Sequence, residues 1–147
     1  MVTTETIASL RRALFARHAH PLSAWSRWAT TPVLLVPLWT RSTVAAGATA
    51  AWFAVNPVMT PPPGRQDAFA TRAMLGEELW ATDRSRDPGM GRVNAVGSAL
   101  LGLGAVAAWK HRCGVVAVCV TANMALTMYS WSRYAAIRDA ERPRSLR

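Results

Sequence analysis

This chain is poor in the residues that build metal centres, redox pairs and catalytic carboxylate clusters. It has two cysteines, Cys113 and Cys119, and neither a CxxC pair nor a zinc-type spacing. Standing six apart in one apolar run, they point from different faces of a helix, which disfavours a disulfide between them. His18 and His20 are two apart and face opposite ways on a helix, so no metal site is expected. Eight acidic residues stand against 17 basic ones. No phosphate-binding glycine loop, nucleophile elbow, HExxH or haem motif is present, so no cofactor is expected.

Charge itself is missing from residues 28–40, 42–64, 93–109 and 113–132. Apolar runs of about 18 residues or more mark helices that cross a bilayer. The net charge of +9 is of a size that suits nucleic acid. The basic residues, however, stand at the ends of the apolar runs rather than on one face, so nucleic acid is not an expected partner. At 147 residues the chain makes one domain.

One helix over residues 25–59 would be roughly 52 Å long against about 30 Å of hydrocarbon, with Arg41 buried near its middle. An arginine there costs on the order of 3 kcal/mol. A tight turn around Arg41 removes both problems, and the same argument breaks the second long run at Lys110, His111 and Arg112. The expectation is an all-α integral membrane protein with four transmembrane helices in two hairpins. Residues 1–24 form an amphipathic N-terminal segment, 25–59 the first hairpin, 60–92 a cytoplasmic loop with an interfacial helix, 93–134 the second hairpin, and 135–147 a basic tail. The first span, about 25–40, is short and carries Pro32 and Pro37, so it is tilted, kinked or partly re-entrant.

In the N-terminal segment Ile7, Leu10, Leu14 and Phe15 alternate with Arg11, Arg12 and Arg17. That is unlike the continuous core of a signal peptide; an organellar transit peptide is the alternative. Of the 17 basic residues, Arg41, Lys110 and Arg112 fall at the hairpin tips and the rest on the other side. The positive-inside rule then places both termini and the middle loop in the cytoplasm, in a multi-pass protein of the cell's inner (plasma) membrane. Trp25, Trp28, Trp39, Trp109 and Trp131 sit at span ends, as indoles prefer. Ala46, Ala50 and Ala54, Ser98 with Gly102, and Gly104 with Ala108 recur at four-residue steps. That spacing suits close helix packing or a homo-oligomer contact.

The fourth span carries Cys119, Asn123, Thr127, Ser130 and Tyr134 on one face, and the second carries Ser42, Thr49, Trp52 and Asn56. Such stripes either make interhelical hydrogen bonds or line a groove, here one opening to the cytoplasm if the two stripes face each other. Pro57 frees a carbonyl in the preceding turn, and Pro61, Pro62 and Pro63 guide the chain along the surface. Asp67 is the expected N-cap of a helix over about 68–82. On a helical wheel Phe69, Ala73, Leu75, Leu79 and Trp80 share a face centred on Arg72 and Gly76. Glu78 points to water, and Glu77 lies at the border. Arg72 either snorkels to headgroups or joins Glu77 in a polar site at the cytoplasmic mouth.

The ordered set "HAHPLSAWSR", "NPVMTPPP", "RAMLGEELW" and "WSRYAAIRDA" resembles a family of small prokaryotic four-helix membrane proteins catalogued as a domain of unknown function, over about residues 17–139. The resemblance implies the four-helix membrane architecture and no particular activity. The family's pattern carries an asparagine before Pro21, where this chain has His20. Function is therefore expected at one of two levels. The first is a small polytopic membrane protein of undetermined activity, its basic amphipathic ends holding the bilayer and anionic lipid headgroups. The alternative is a membrane-embedded enzyme for acid/base-assisted cyclisation or rearrangement of a lipophilic or amphiphilic small molecule. In it Glu77 acts as general acid or base, Arg72 holds an anionic group, and Asn56, Asn123, Thr127 and Tyr134 contact the substrate. No span carries an Asp or Glu to couple ions, which argues against a transporter.

Overall fold

Prolines and two left-handed residues punctuate an otherwise helical chain. The computed structural model describes residues 17–141, and every regular element among them is helical. The expected N-terminal amphipathic segment lies outside the described residues as far as residue 16. Helix α1 (Pro21–Ala29) has proline in its first turn, where the missing N–H is not needed. His20 caps it, its Nδ1 accepting from the Leu22 amide at 3.3 Å, the role that asparagine also fills at a helix start. A 3-10 turn (Thr31–Leu35) and a short helix, α2 (Val36–Thr40), follow, each with a proline near its start. The first apolar stretch is thus broken into three pieces.

Arg41 (φ 52°) and His111 (φ 53°) take the left-handed conformation, and each ends a helix where a hairpin tip is expected. The two tips meet: the Arg41 guanidinium lies 4.6 Å above the Trp109 ring and donates to the Trp109 carbonyl at 3.2 Å. Trp39 and His111 stack edge to face at 5.0 Å. Beyond Arg41 come α3 (Thr43–Met59), α4 (Phe69–Thr82), α5 (Met90–Trp109) and α6 (Cys113–Glu141). Two of these, α5 and α6, are long and apolar enough to cross a membrane.

Helix α6 has 29 residues, about 43 Å at about 1.5 Å per residue, against a hydrocarbon layer of about 30 Å. Helix α5 runs antiparallel along it. Ala108 packs with Val120 and Leu35 near one end, and at the other Asn94 Nδ2 donates to the Tyr134 hydroxyl at 2.9 Å. The excess length of α6, with Trp131, Tyr134 and Ala135 buried, receives α4. Gly76 is the point of closest approach: a Cβ built there would overlap the Tyr134 carbonyl oxygen and lie 2.5 Å from its carbonyl carbon. Only glycine lets the two backbones come this close. Asp87 locks the turn after α4, its carbonyl accepting from the Trp80 indole at 2.9 Å and its carboxylate pairing with Arg133 at 2.7 Å.

Several expectations change here. Asp67 is not the N-cap of α4; Ala68 takes that position without a side-chain bond, and Asp67 pairs with Arg65 at 2.7 Å. The buried face of α4 is Ala70, Thr71, Ala73, Met74, Gly76 and Trp80, while Leu75 and Leu79 are partly exposed. The wheel assumed one partner surface, but α4 is wedged between α1 and α6, and small side chains mark both contacts. Trp25, Trp28 and Trp131 come together at one end of the helices. They pack with Phe69 in one cluster with ring separations of 5.3 to 6.5 Å. Gly104 and Ala108 are buried, whereas Ala46, Ala50, Ala54, Ser98 and Gly102 are exposed.

The polar stripes of α3 and α6 do not face each other as paired walls. That of α3 is taken up by α1: Asn56 Nδ2 donates to Ser26 Oγ at 2.8 Å, Ser23 Oγ donates to Asn56 Oδ1 at 3.0 Å, and Trp52 Nε1 donates to Thr30 Oγ1 at 2.9 Å. These bonds fasten the broken first stretch to α3.

Gly76→Ala is expected to lower the unfolding temperature of the purified protein in detergent, because overpacking a close contact costs about 1–3 kcal/mol or more. Gly47, whose added Cβ would meet nothing within 4 Å, is the control. Gly47→Ala is expected to leave stability unchanged or raise it by up to about 1 kcal/mol.

Candidate functional site

Docking α4 onto α6 leaves a space beside α1. It is a pocket of about 280 Å³, open to the surface, with walls from α1, α3, α4 and α6. One end is polar, with His18, Arg27 and Glu77. The opposite wall is apolar, with Trp28, Phe53, Met74 and Trp131, and Thr31 and Thr127 contribute hydroxyls.

Each polar residue is placed by a local feature of the sequence. Arg27 lies in the last turn of α1, and its Nε donates to the Ser23 carbonyl one turn back at 3.1 Å. Its Nη2 donates to the His18 carbonyl at 3.3 Å, and Nη1 lies 2.7 Å from His18 Nδ1 and 2.5 Å from Nε2. A neutral imidazole offers one acceptor nitrogen. Burial first, and then the charge of Arg27, push the His18 pKa from 6.5 down to about 4, so the ring accepts rather than carries a competing charge. Thr71 Oγ1 donates to the Ala19 carbonyl at 2.8 Å, fixing the segment that carries His18 against α4.

Glu77 follows Gly76, so the closest approach of α4 and α6 also sets the position of this carboxylate. Burial pushes its pKa above the ordinary value, and the attraction of Arg27 only partly opposes that shift. The pocket therefore holds a guanidinium bound to neutral acceptors and a carboxylate that is reluctant to ionise.

Of the residues expected at the site, Glu77 and Thr127 line the pocket. Thr127 Oγ1 bonds back to the Asn123 carbonyl at 2.9 Å. Asn56 is buried against Ser23 and Ser26, and Asn123 is buried with its side-chain oxygen facing Gly97 of α5. Tyr134 packs on Trp80 and accepts from Asn94. Arg72 lies at the margin of α4, where Nη1 meets Asp139 Oδ2 of α6 at 2.5 Å. The negative charge that Arg72 requires thus comes from the end of the final helix rather than from the pocket.

Sequence reasoning passed over Arg27 and His18 as functional groups. A signal was present: Arg27 is the one charged residue between Arg17 and Arg41, and it stands beside two tryptophans. A cation in such a place needs a built environment.

Fold and site together define an all-helical protein with two membrane-length helices and a small amphipathic pocket at one end of them. The chain belongs to a family of unknown function, DUF6653, whose pattern matches residues 6–128. That range includes each pocket residue except Trp131. Comparison with curated proteins and with solved structures gives no match.

The raised pKa of Glu77 fixes a pH dependence. Below its unfolded pKa the carboxyl is protonated in both states and costs nothing. As pH rises toward and through the raised folded value, ionisation is resisted only in the folded state, and stability is lost. Glu77→Gln is therefore expected to melt at a higher temperature than the parent at pH 7.5. The difference should shrink toward zero near pH 4, as followed by thermal unfolding of both proteins side by side.

Proposed function

We propose that this is a multi-pass membrane protein with four spans, both termini and the middle loop in the cytoplasm, and a pocket at the cytoplasmic face that receives a lipophilic or amphiphilic small molecule. The observation that carries the functional part is the junction of a charged end (Arg27, Glu77) with an aromatic wall (Trp28, Phe53, Trp131) in one pocket. Such a site suits a ligand with one polar end that approaches from the bilayer.

The membrane reading is supported by what the helices leave uncovered. In a soluble core helix the apolar residues are buried, yet only 17% of the apolar window of α5 and 22% of that of α6 are buried. Val44 (81%), Val118 (69%) and Met59 (63%) are largely exposed, as side chains facing lipid are. Four spans follow if the broken stretch 21–40 and α3 cross as the first hairpin. Only Arg41, Lys110 and Arg112 of the 17 basic residues stand at the joined tips, which supports an orientation with the tips outside and the more basic opposite end facing anionic headgroups in the cytoplasm.

A second reading, acid/base catalysis of a cyclisation or rearrangement, is favoured by one observation: the Glu77 carboxyl is held toward its neutral form inside the pocket, as a general acid requires.

Cys113 is exposed at one tip and Cys119 is buried, so the chain carries its own topology probe. A membrane-impermeant maleimide is expected to label Cys113 in intact spheroplasts, and to label Arg65→Cys in a Cys113→Ser background only after permeabilisation. The reverse pattern would overturn the orientation, and labelling of both without permeabilisation would overturn the hairpin topology. In the same cells, an extract metabolite profile unchanged by Glu77→Gln at normal protein abundance would remove the catalytic reading.

A further inference from the structure

We infer that the pocket binds the anionic head of an amphiphile on Arg27, and that Glu77 takes up a proton as the anion enters. The inference rests on the pocket reading above and adds the charge of the ligand and the coupling.

Among the described residues Arg27 forms no ion pair. The contacts that hold it are neutral: the Ser23 carbonyl, the His18 carbonyl and a ring nitrogen of His18. Every other pocket-lining group is uncharged except Glu77. The ion pairs among the described residues use Arg65, Arg72, Arg86 and Arg133, and none uses Arg27 or Glu77. A guanidinium so placed keeps its charge and offers directed donors, the arrangement that recognises carboxylate, phosphate or sulfonate oxygens.

Glu77 decides when that recognition is available. An anion arriving on Arg27 meets repulsion from an ionised Glu77, whereas a protonated Glu77 presents an O–H that can donate to the same anion. The proton comes from water and rests on a Glu77 carboxyl oxygen. Entry of one negative charge with one proton leaves the net charge of the pocket unchanged, which a site of low polarity favours. The groups facing Glu77 fit this exchange. From the α1 side they are Arg27 and the neutral His18, and from α6 the phenol of Tyr134, whose hydroxyl accepts from Asn94. Nearby charges are engaged elsewhere: Arg72 with Asp139, Arg84 over the Trp80 ring, and Asp87 with Arg133. Glu78 is the remaining acid on α4 and does not line the pocket.

The test uses the full chain in phosphatidylcholine nanodiscs, with decyl sulfonate, decanol and decyltrimethylammonium as probes. Binding in excess of empty nanodiscs is measured by equilibrium dialysis. The sulfonate stays ionised throughout, so any pH dependence belongs to the protein. Decyl sulfonate is expected to bind more tightly than the other two, its affinity rising as pH falls from 8 to 6 by up to about tenfold per unit for one proton taken up. Glu77→Gln is expected to bind it tightly at both pH values, Arg27→Ala to lose about tenfold or more, and Arg72→Ala, outside the pocket, to match the parent. If Arg27→Ala does not accumulate, Arg27→Gln replaces it. Decanol bound as well as decyl sulfonate, with the Arg27 variant indifferent, would overturn the inference and leave the pocket as a site for neutral lipophiles. Sulfonate binding without pH dependence in the parent would overturn the proton coupling. No excess of any probe would overturn the pocket reading itself.

Discussion

The backbone of Gly76 against the carbonyl of Tyr134 is the contact on which the rest of this structure depends. It lets α4 lie directly on the extended end of α6, where a helix bearing any side chain at that position would be held away. Once that distance is set, Trp80 reaches the Tyr134 ring at 5.7 Å, Arg72 reaches Asp139, and Glu77 turns toward α1. The pocket is therefore a by-product of close packing: α1 and α3 can cover the flank of α4 and α6 but cannot fill it.

Charge is distributed to serve the same arrangement. Described acids other than Glu77 and Glu78 stand in ion pairs at the α4 and α6 end, among them Asp139 with Arg72 and Glu141 with Arg86. Such pairs are partly exposed and individually contribute little. Arg27 and Glu77 stand apart from this network, shielded from most water and electrostatically coupled across the pocket. Partial burial makes each charge expensive, and that gives the site its chemical character.

How far the residues revealed this outcome depends on the kind of signal. Chain reversals at Arg41 and His111 followed from the cost of placing charge in an apolar run, and Pro32 and Pro37 announced the broken first stretch. These are local, nearly one-dimensional constraints. The face of α4 was harder to read, because alanine and glycine carry little apolar weight on a wheel yet mark where two partners approach. Arg72, prominent on that wheel, forms its ion pair with a residue 67 positions away, a pairing that no local pattern encodes. Glu77 was found because an acid beside an apolar face is unusual. Arg27 was missed because its environment joins α1 and the segment before it to residues some fifty positions away on α4. Asn56 looked like a groove residue and is instead a clasp between α1 and α3, since a polar stripe on a helix does not reveal which neighbour it meets.

The central claim is that α4 docks along the end of α6 in the register set by Gly76, and cross-linking in native membranes tests it most directly. In a chain with Cys113 and Cys119 replaced by serine, cysteines at Arg72 and Asp139 are treated with a short bismaleimide, and intramolecular linkage is read by mass spectrometry. Efficient linkage between positions 72 and 139 is expected, with none between 72 and a cysteine at Ser42 near the opposite tip. Absence of the 72–139 link, with both cysteines still reacting with a monofunctional maleimide, would contradict the docking and the pocket built on it.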